Sequence, residues 1–217
     1  MTQPVQNLTI DIVSDIVCPW CIIGYKQMET AIARLDPSVA VTLRWHPFEL
    51  VPGMVPEGQN VRDYSRERYG ATPEQGLASR KRMSDIGVQL GIDFRWDSES
   101  RIYNTHKAHQ LLMWAGETGG QTPLKLALFN AYFTEQANIS DDAVLLGAVK
   151  AAGLNVETAR AVLADARYAP QVSAEIEYWQ DQNVTGVPAY VVNGKYMIPG
   201  AQDPDIFERI FERALAA

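Results

Sequence analysis

Cys18 and Cys21 are the only two cysteines among 217 residues, and Pro19 and Trp20 separate them. Two thiols at this spacing can close a small disulfide ring and reopen it, chemistry that a thiolate initiates. The run before them alternates like a strand and the run after them has helical spacing. Cys18 therefore falls at a helix start, where unpaired N–H groups and the macrodipole favour an anion. The pattern predicts an acidic, reactive Cys18, with Cys21 one turn further in and partly covered. A structural zinc site takes about four ligands. Here there is no second cysteine pair, and His46, His106 and His109 lack matching spacing, so no metal is expected. A permanent staple across so short a loop would stabilise a chain of this size only weakly. Turnover of the bond is the better use of these residues.

The elements that must position the thiols can be read around them. Leu8, Ile10 and Ile12 alternate with Thr9, Asp11 and Val13, as in a strand. Met28, Ala31, Ile32 and Leu35 recur at helical spacing, and Asp36-Pro37 stops that helix. Val41, Leu43 and Trp45 alternate with Thr42, Arg44 and His46 in a second strand, giving a β-α-β unit with parallel strands. From Asn60 to about Asn183 the periodicity is helical almost throughout. Thr72-Pro73-Glu74-Gln75 has the form of a capping box, and Ser140-Asp141-Asp142 and Gly153 supply a further cap and stop. Strand pattern returns at Ala189–Val192. Asn193-Gly194 predicts a tight hairpin, and a closing helix carries Ile206, Ile210, Phe211 and Leu215.

This order predicts an α/β thioredoxin fold split by a large α-helical insertion. Residues 1–59 form its N-terminal half, 60–183 the insertion and 184–217 the C-terminal half. In that fold the strand opened by Gly186-Val187-Pro188 lies beside the cysteines. A cis bond at Val187–Pro188 would aim the Val187 backbone at a bound chain.

Hydrophobic residues make up 47% of the chain and charged ones 21%, enough to fill a substantial core. The net charge of −7 argues against nucleic acid as a partner. No stretch has the apolar length of a membrane span, and Met1 to Asn7 lacks the marks of a secretory signal, so a cytoplasmic location is expected. Two cysteines in a reducing compartment suit catalysis or redox sensing better than structure.

Several stretches together resemble the DsbA family, FrnE-like branch. They are Cys-Pro-Trp-Cys at 18–21, Trp45 to Leu50, Asn104 to His109, Gly186-Val187-Pro188 and Pro199-Gly200-Ala201-Gln202. The chain is also similar to 2-hydroxychromene-2-carboxylate isomerases and kappa-class glutathione transferases, although those relatives typically carry serine where this chain has Cys18. The resemblance implies Cys18 as nucleophile, Cys21 as resolving thiol and Val187–Pro188 as a substrate clamp. It implies a disulfide or dithiol substrate and no bound cofactor, with glutathione a candidate co-substrate. Trp20, fixed by Pro19 and Cys21, is expected at the rim of the site. His46 is a candidate to stabilise a thiolate or hold a substrate carboxylate, against a structural role. Asn104 and His109 are candidates to border the groove, with helix capping the competing role for Asn104. Gln202 and Asp203 match where glutathione-using relatives hold the peptide's amino end, against helix capping by Asp203.

The expected activity is thiol–disulfide exchange. Its rivals are a glutathione-dependent isomerase or transferase acting on a small aromatic, and a redox-sensing interaction protein. Monomer and homodimer both remain open.

Overall fold

The structure, a computed structural model, describes residues 6–217. The reading of the segment before residue 6 as no secretory signal lies outside the described residues. β1 (Asn7–Ser14) leads into α1 (Pro19–Ile32) and then β2 (Ala40–Pro47). The helical block begins with a two-residue strand β3 (Gln59–Asn60), α2 (Val61–Tyr69) and α3 (Pro73–Leu90), and β4 (Arg101–Ile102) pairs back onto β3. It continues through α4 (His106–Glu117), α5 (Gln121–Phe133), α6 (Asp142–Ala151), α7 (Val156–Asp165) and α8 (Ala169–Asp181). β5 (Ala189–Val192), β6 (Tyr196–Pro199) and α9 (Pro204–Leu215) complete the chain.

The main sheet runs β2-β1-β5-β6, with β1 parallel to β2 and the other pairings antiparallel. This is the predicted thioredoxin arrangement with a helical insertion. The small β3–β4 ribbon was not legible, because two-residue strands carry no period. Strand alternation sorts β1 between two cores. Leu8, Ile10 and Ile12 pack with α1 and α9 in the main core, while Val13 joins Trp179 of α8, Val184, Ala189 and Val191 in a second, smaller one. Covering both faces buries Asp11 as well, which the alternation alone had placed on a polar side.

Local chemistry fixes the joints. Thr72 Oγ1 accepts from the Gln75 N–H at 3.3 Å and Gln75 Oε1 accepts from the Thr72 N–H at 2.9 Å, completing the capping box. Asp141 caps α6 through the N–H groups of Ala143 and Val144. Asn193 and Gly194 take φ of 50° and 64°, as a two-residue hairpin turn requires. Asn193 Oδ1 also accepts from the Thr9 N–H at 2.9 Å, tying the turn to β1.

Two helical glycines have opposite reasons to be there. A side chain on Gly24 of α1 would collide with the Tyr190 hydroxyl and press on Ala201, whereas one on exposed Gly147 of α6 would meet nothing. Gly24→Ala is therefore expected to cost about 1–3 kcal/mol through overpacking. Gly147→Ala should gain about 0.5–1 kcal/mol from helix propensity. Urea unfolding midpoints of the two variants test the contrast; equal shifts would show that α1 does not seat on Tyr190.

Candidate active site

Cys18 occupies the N-cap of α1 with extended backbone (φ −90°, ψ 110°), and Pro19 begins the helix. The Cys21 N–H donates to the Cys18 carbonyl at 3.0 Å. Both thiols are free. Cys18 is 4% exposed and Cys21 0%. The Cys18 thiol donates to the Val187 carbonyl oxygen at 3.6 Å, and the Val187–Pro188 bond is cis, as the fold context predicted.

A buried carboxylate holds the turn that carries the pair. Asp15, 0% exposed, accepts from its neighbour Ile16 N–H at 2.7 Å and from Leu50 N–H at 2.8 Å. His109 Nε2 lies 3.3 Å from the same carboxylate and 3.0 Å from the Phe48 carbonyl. Both partners are acceptors, so Nε2 carries the proton. His106 Nδ1 reaches Glu49 Oε1 at 2.7 Å. The stretches 45–50 and 104–109 are thus the two sides of one clasp behind the cysteines.

In front of the pair opens a groove of about 510 Å³. Cys18, Pro19, Trp20 and Val187 form one end. Tyr64, Tyr69, Met83, Trp96, Ile102 and Tyr132 give it apolar walls, and Arg80 brings a cation. Trp20 is half-buried at its edge, with the Arg82 guanidinium carbon 5.8 Å from its ring centroid.

The two sulfurs titrate as a pair. The hydrogen bond with Cys21, reinforced by burial, pushes the Cys18 thiol well above its ordinary value. Burial opposes charge on Cys21 too, but the adjoining Cys18 and the Lys125 ammonium outweigh it and hold that thiol below its ordinary value. The two directions belong to the pair, which shares one negative charge between its sulfurs in the reduced state. Access distinguishes Cys18, since it lines the groove and Cys21 does not.

Of the other sequence candidates, the structure brings only some to this place. His109 lies behind the pair at 1% exposure as a structural clasp and does not line the groove. Asn104 caps the start of α4, its Oδ1 accepting from the His106 N–H at 2.9 Å. Gln202 folds back to donate to the Pro199 carbonyl at 2.7 Å, and Asp203 sits at the N-cap of α9 without a side-chain cap bond; neither lines the groove. The expected Asp203 cap is thus absent as a hydrogen bond. Pro188 contributes its carbonyl, which accepts from the Gly200 N–H at 2.7 Å. His46 faces the second core, away from the main core that holds the cysteines. There it bridges Asp11 at 2.8 Å and Glu175 at 3.3 Å and lines a separate cleft with Arg44 and Trp179. The register explains it: β2 residue His46 pairs with Val13, whose side chain points to that face. Lys125 was missed because a lysine within a helix reads as solvated surface.

Residues 9–212 match the DSBA-like thioredoxin domain family. The Bacillus subtilis protein YwbO is 28% identical over 205 residues, covering 94% of this chain and 96% of its own. A probable DsbA oxidoreductase from Streptomyces coelicolor has a crystal structure that superposes with a TM-score of 0.90 at 31% identity, over 96% of this chain and 90% of that one. The cytosolic disulfide reductase DsbM of Pseudomonas aeruginosa, solved with glutathione, shares the fold at a TM-score of 0.64 and 16% identity, over 96% of this chain and 100% of that one.

The far cleft carries a pH dependence. Burial opposes charge on Asp11 and on His46, but their mutual hydrogen bond, with Arg44 on Asp11 and Glu175 on His46, lowers the carboxyl and raises the imidazole. Stability from a raised histidine is fully present below its unfolded value near 6.5 and is lost as pH rises through the folded value. Stability from the lowered Asp11 is present above about 3.9 and is lost as pH falls. The pair therefore contributes most between those limits. His46→Gln should flatten the decline in urea midpoint as pH rises above about 6.5, leaving the share of His106, which the Glu49 hydrogen bond also raises. An unchanged slope would show that His46 is neutral in the folded chain.

Proposed function

The chain belongs to the DSBA-like thioredoxin domain family, and we propose that it exchanges disulfides with its substrates through the Cys18–Cys21 pair. One observation carries the reading: two free thiols share the start of α1, the outer one in the groove wall beneath the Val187 carbonyl and the inner one closed off from solvent.

The chemistry follows from that asymmetry. A substrate disulfide entering the groove meets Cys18 alone. Its sulfur attacks as the thiolate while the one proton of the pair stays on Cys21, the substrate S–S bond breaks and one half leaves as a thiolate. Cys18, now in a mixed disulfide, no longer donates to Val187, and that carbonyl is free to accept an N–H from an extended substrate. Cys21 then gives up its proton and attacks the Cys18 sulfur, closing the enzyme disulfide and releasing the second half of the substrate reduced; oxidation runs the steps in reverse. Glutathione is proposed as a co-substrate because Arg80, in the groove wall, and Arg82, beside Trp20, offer cations to its carboxylates. A FrnE-like place within the family and a cytoplasmic site of action complete the reading.

Exposure to oxidised glutathione or a disulfide-bonded protein, followed by intact mass and non-reducing electrophoresis, tests the division of labour. Cys21→Ser and Cys21→Ala should both accumulate reductant-sensitive adducts, and Cys18→Ser should form almost none. Both positions should lose nearly all insulin-disulfide reduction. Equal trapping at both positions would refute distinct roles. Glutathione-dependent turnover of a small aromatic that survives Cys21→Ser would replace this reading with the isomerase.

A further inference from the structure

Lys125 of α5 is 1% exposed, an unusual place for an ammonium, because burying a charge without a close partner is costly. The way α5 is seated explains how it gets there. Gln121 accepts from the Trp45 N–H and donates to the Trp45 carbonyl, both at 2.9 Å, and Thr122 Oγ1 accepts from the Trp45 indole at 2.9 Å. These bonds fix the first turn of α5 against β2. Lys125, three residues on from Thr122 and so on the same helix face, is driven under the end of β1. Its Nζ donates to the Ser14 carbonyl at 3.4 Å and lies 5.3 Å and 5.1 Å from the ring centroids of Trp45 and Phe129.

A purely structural buried lysine would be expected on a carboxylate. The nearby candidate is Asp15, but its oxygens are taken by Ile16, Leu50 and His109. Among the described residues the ammonium has one long hydrogen bond and two ring faces. Burial lowers it to about 8 against the attraction of Cys21, Asp15 and Cys18, the groups whose charge it feels. Cys21 in turn is faced by Cys18, by Ser14 and Asp15 from the end of β1, by Lys125 from α5 and by Tyr190 from β5. Among the described residues Ser14 Oγ is buried without a hydrogen-bond partner, and it adjoins the same sulfur. Tyr132, the other titratable group of α5 here, feels Asp15 and Cys18.

We propose that Lys125 is a positioning residue for disulfide exchange, an ammonium held behind the pair that stabilises negative charge on Cys21 and so speeds the step that releases substrate. The proposal rests on the exchange reading above. In the mixed disulfide, Cys21 must lose its proton inside the protein before it can attack. The Cys21–Cys18 bond forms, the Cys18–substrate bond breaks, and the electron pair leaves on the substrate sulfur. That sulfur ends with a proton equivalent to the one Cys21 lost; the enzyme pair is oxidised and the substrate reduced. Lys125 lowers the charge penalty of the first event. It also favours the reduced, anionic pair over the uncharged disulfide, which makes the protein a stronger oxidant than it would be with an apolar residue there.

The test uses Lys125→Met, which keeps the length without the charge, and Lys125→Gln, which also keeps a donor for Ser14. Mixed disulfide with glutathione is formed first, and the rate of release is then followed across pH. Release should slow about tenfold at pH 7 in both variants, with the midpoint of the pH profile moved up and the difference from the native protein closing at high pH. The equilibrium constant against glutathione should move about tenfold toward the disulfide form, about 30 mV more negative in potential. A merely structural lysine would slow release equally at every pH and leave the potential in place, and that result overturns the proposal. Should neither variant fold, the Cys21 thiol in Cys18→Ser, with Lys125 intact, should still titrate below the ordinary ~8.5; a normal or raised value overturns it too. Failure of the native protein to form any mixed disulfide would instead sink the exchange reading itself.

Discussion

The buried carboxylate of Asp15 is the constraint on which the rest of the site depends. It stands where β1 ends, three residues before Cys18, and its hydrogen bonds reach the turn itself, the loop after β2 and the first turn of α4. A fully buried carboxylate is costly unless nearly all its lone pairs are occupied. The fold meets that demand with two backbone N–H groups and the Nε2–H of His109. Each donor comes from a segment that must be in its final place to donate, so satisfying one charge fixes three pieces of chain. The cysteines inherit their position from that arrangement.

The same carboxylate shapes the electrostatics above it. Alone, its charge would oppose a thiolate a few residues away, and it does raise Cys18. Lys125 enters from α5, with an ammonium that the aromatic faces of Trp45 and Phe129 help to accommodate. A buried pair of opposite charges leaves the reduced thiols close to electrically balanced surroundings. The single charge that exchange chemistry needs can then be placed on sulfur without a net anion already present.

What could be read in the residues was what local rules determine. The cysteine spacing, the strand–helix–strand order around it, the capping box at Thr72 and the Asn193-Gly194 turn are each set within a few residues, and each formed as the pattern required. Gly186-Val187-Pro188 was legible once the fold gave it a neighbour. The rest depended on partners far along the chain. The identities of His46 and His109 were visible, but one faces a second core and the other a buried carboxylate, and only register and the path of α4 decide this. A dipole argument treats Cys18 alone, whereas Cys21 and the buried Lys125 also act on the pair, and neither influence is visible in the local sequence. Lys125 itself violates the rule that lysines face water, and such violations concentrate at functional sites.

The helical block between the strands therefore does two separate things for one pair of sulfurs. From α2, α3 and the β3–β4 ribbon it builds the apolar wall that gives Cys18 a groove. From α4 and α5 it supplies the His109 bond to Asp15 and the ammonium behind Cys21. Access and charge thus come from different side chains, although α5 contributes to both, with Tyr132 in the groove wall and Lys125 behind the pair. A change at Tyr64 or Met83 can alter which disulfides reach Cys18 without moving the charges that govern the pair, and a change at Lys125 can alter those charges without replacing a groove side chain. The β-α-β and β-β-α halves hold the thiols in place, and the inserted helices determine what reaches them and how readily they part with electrons.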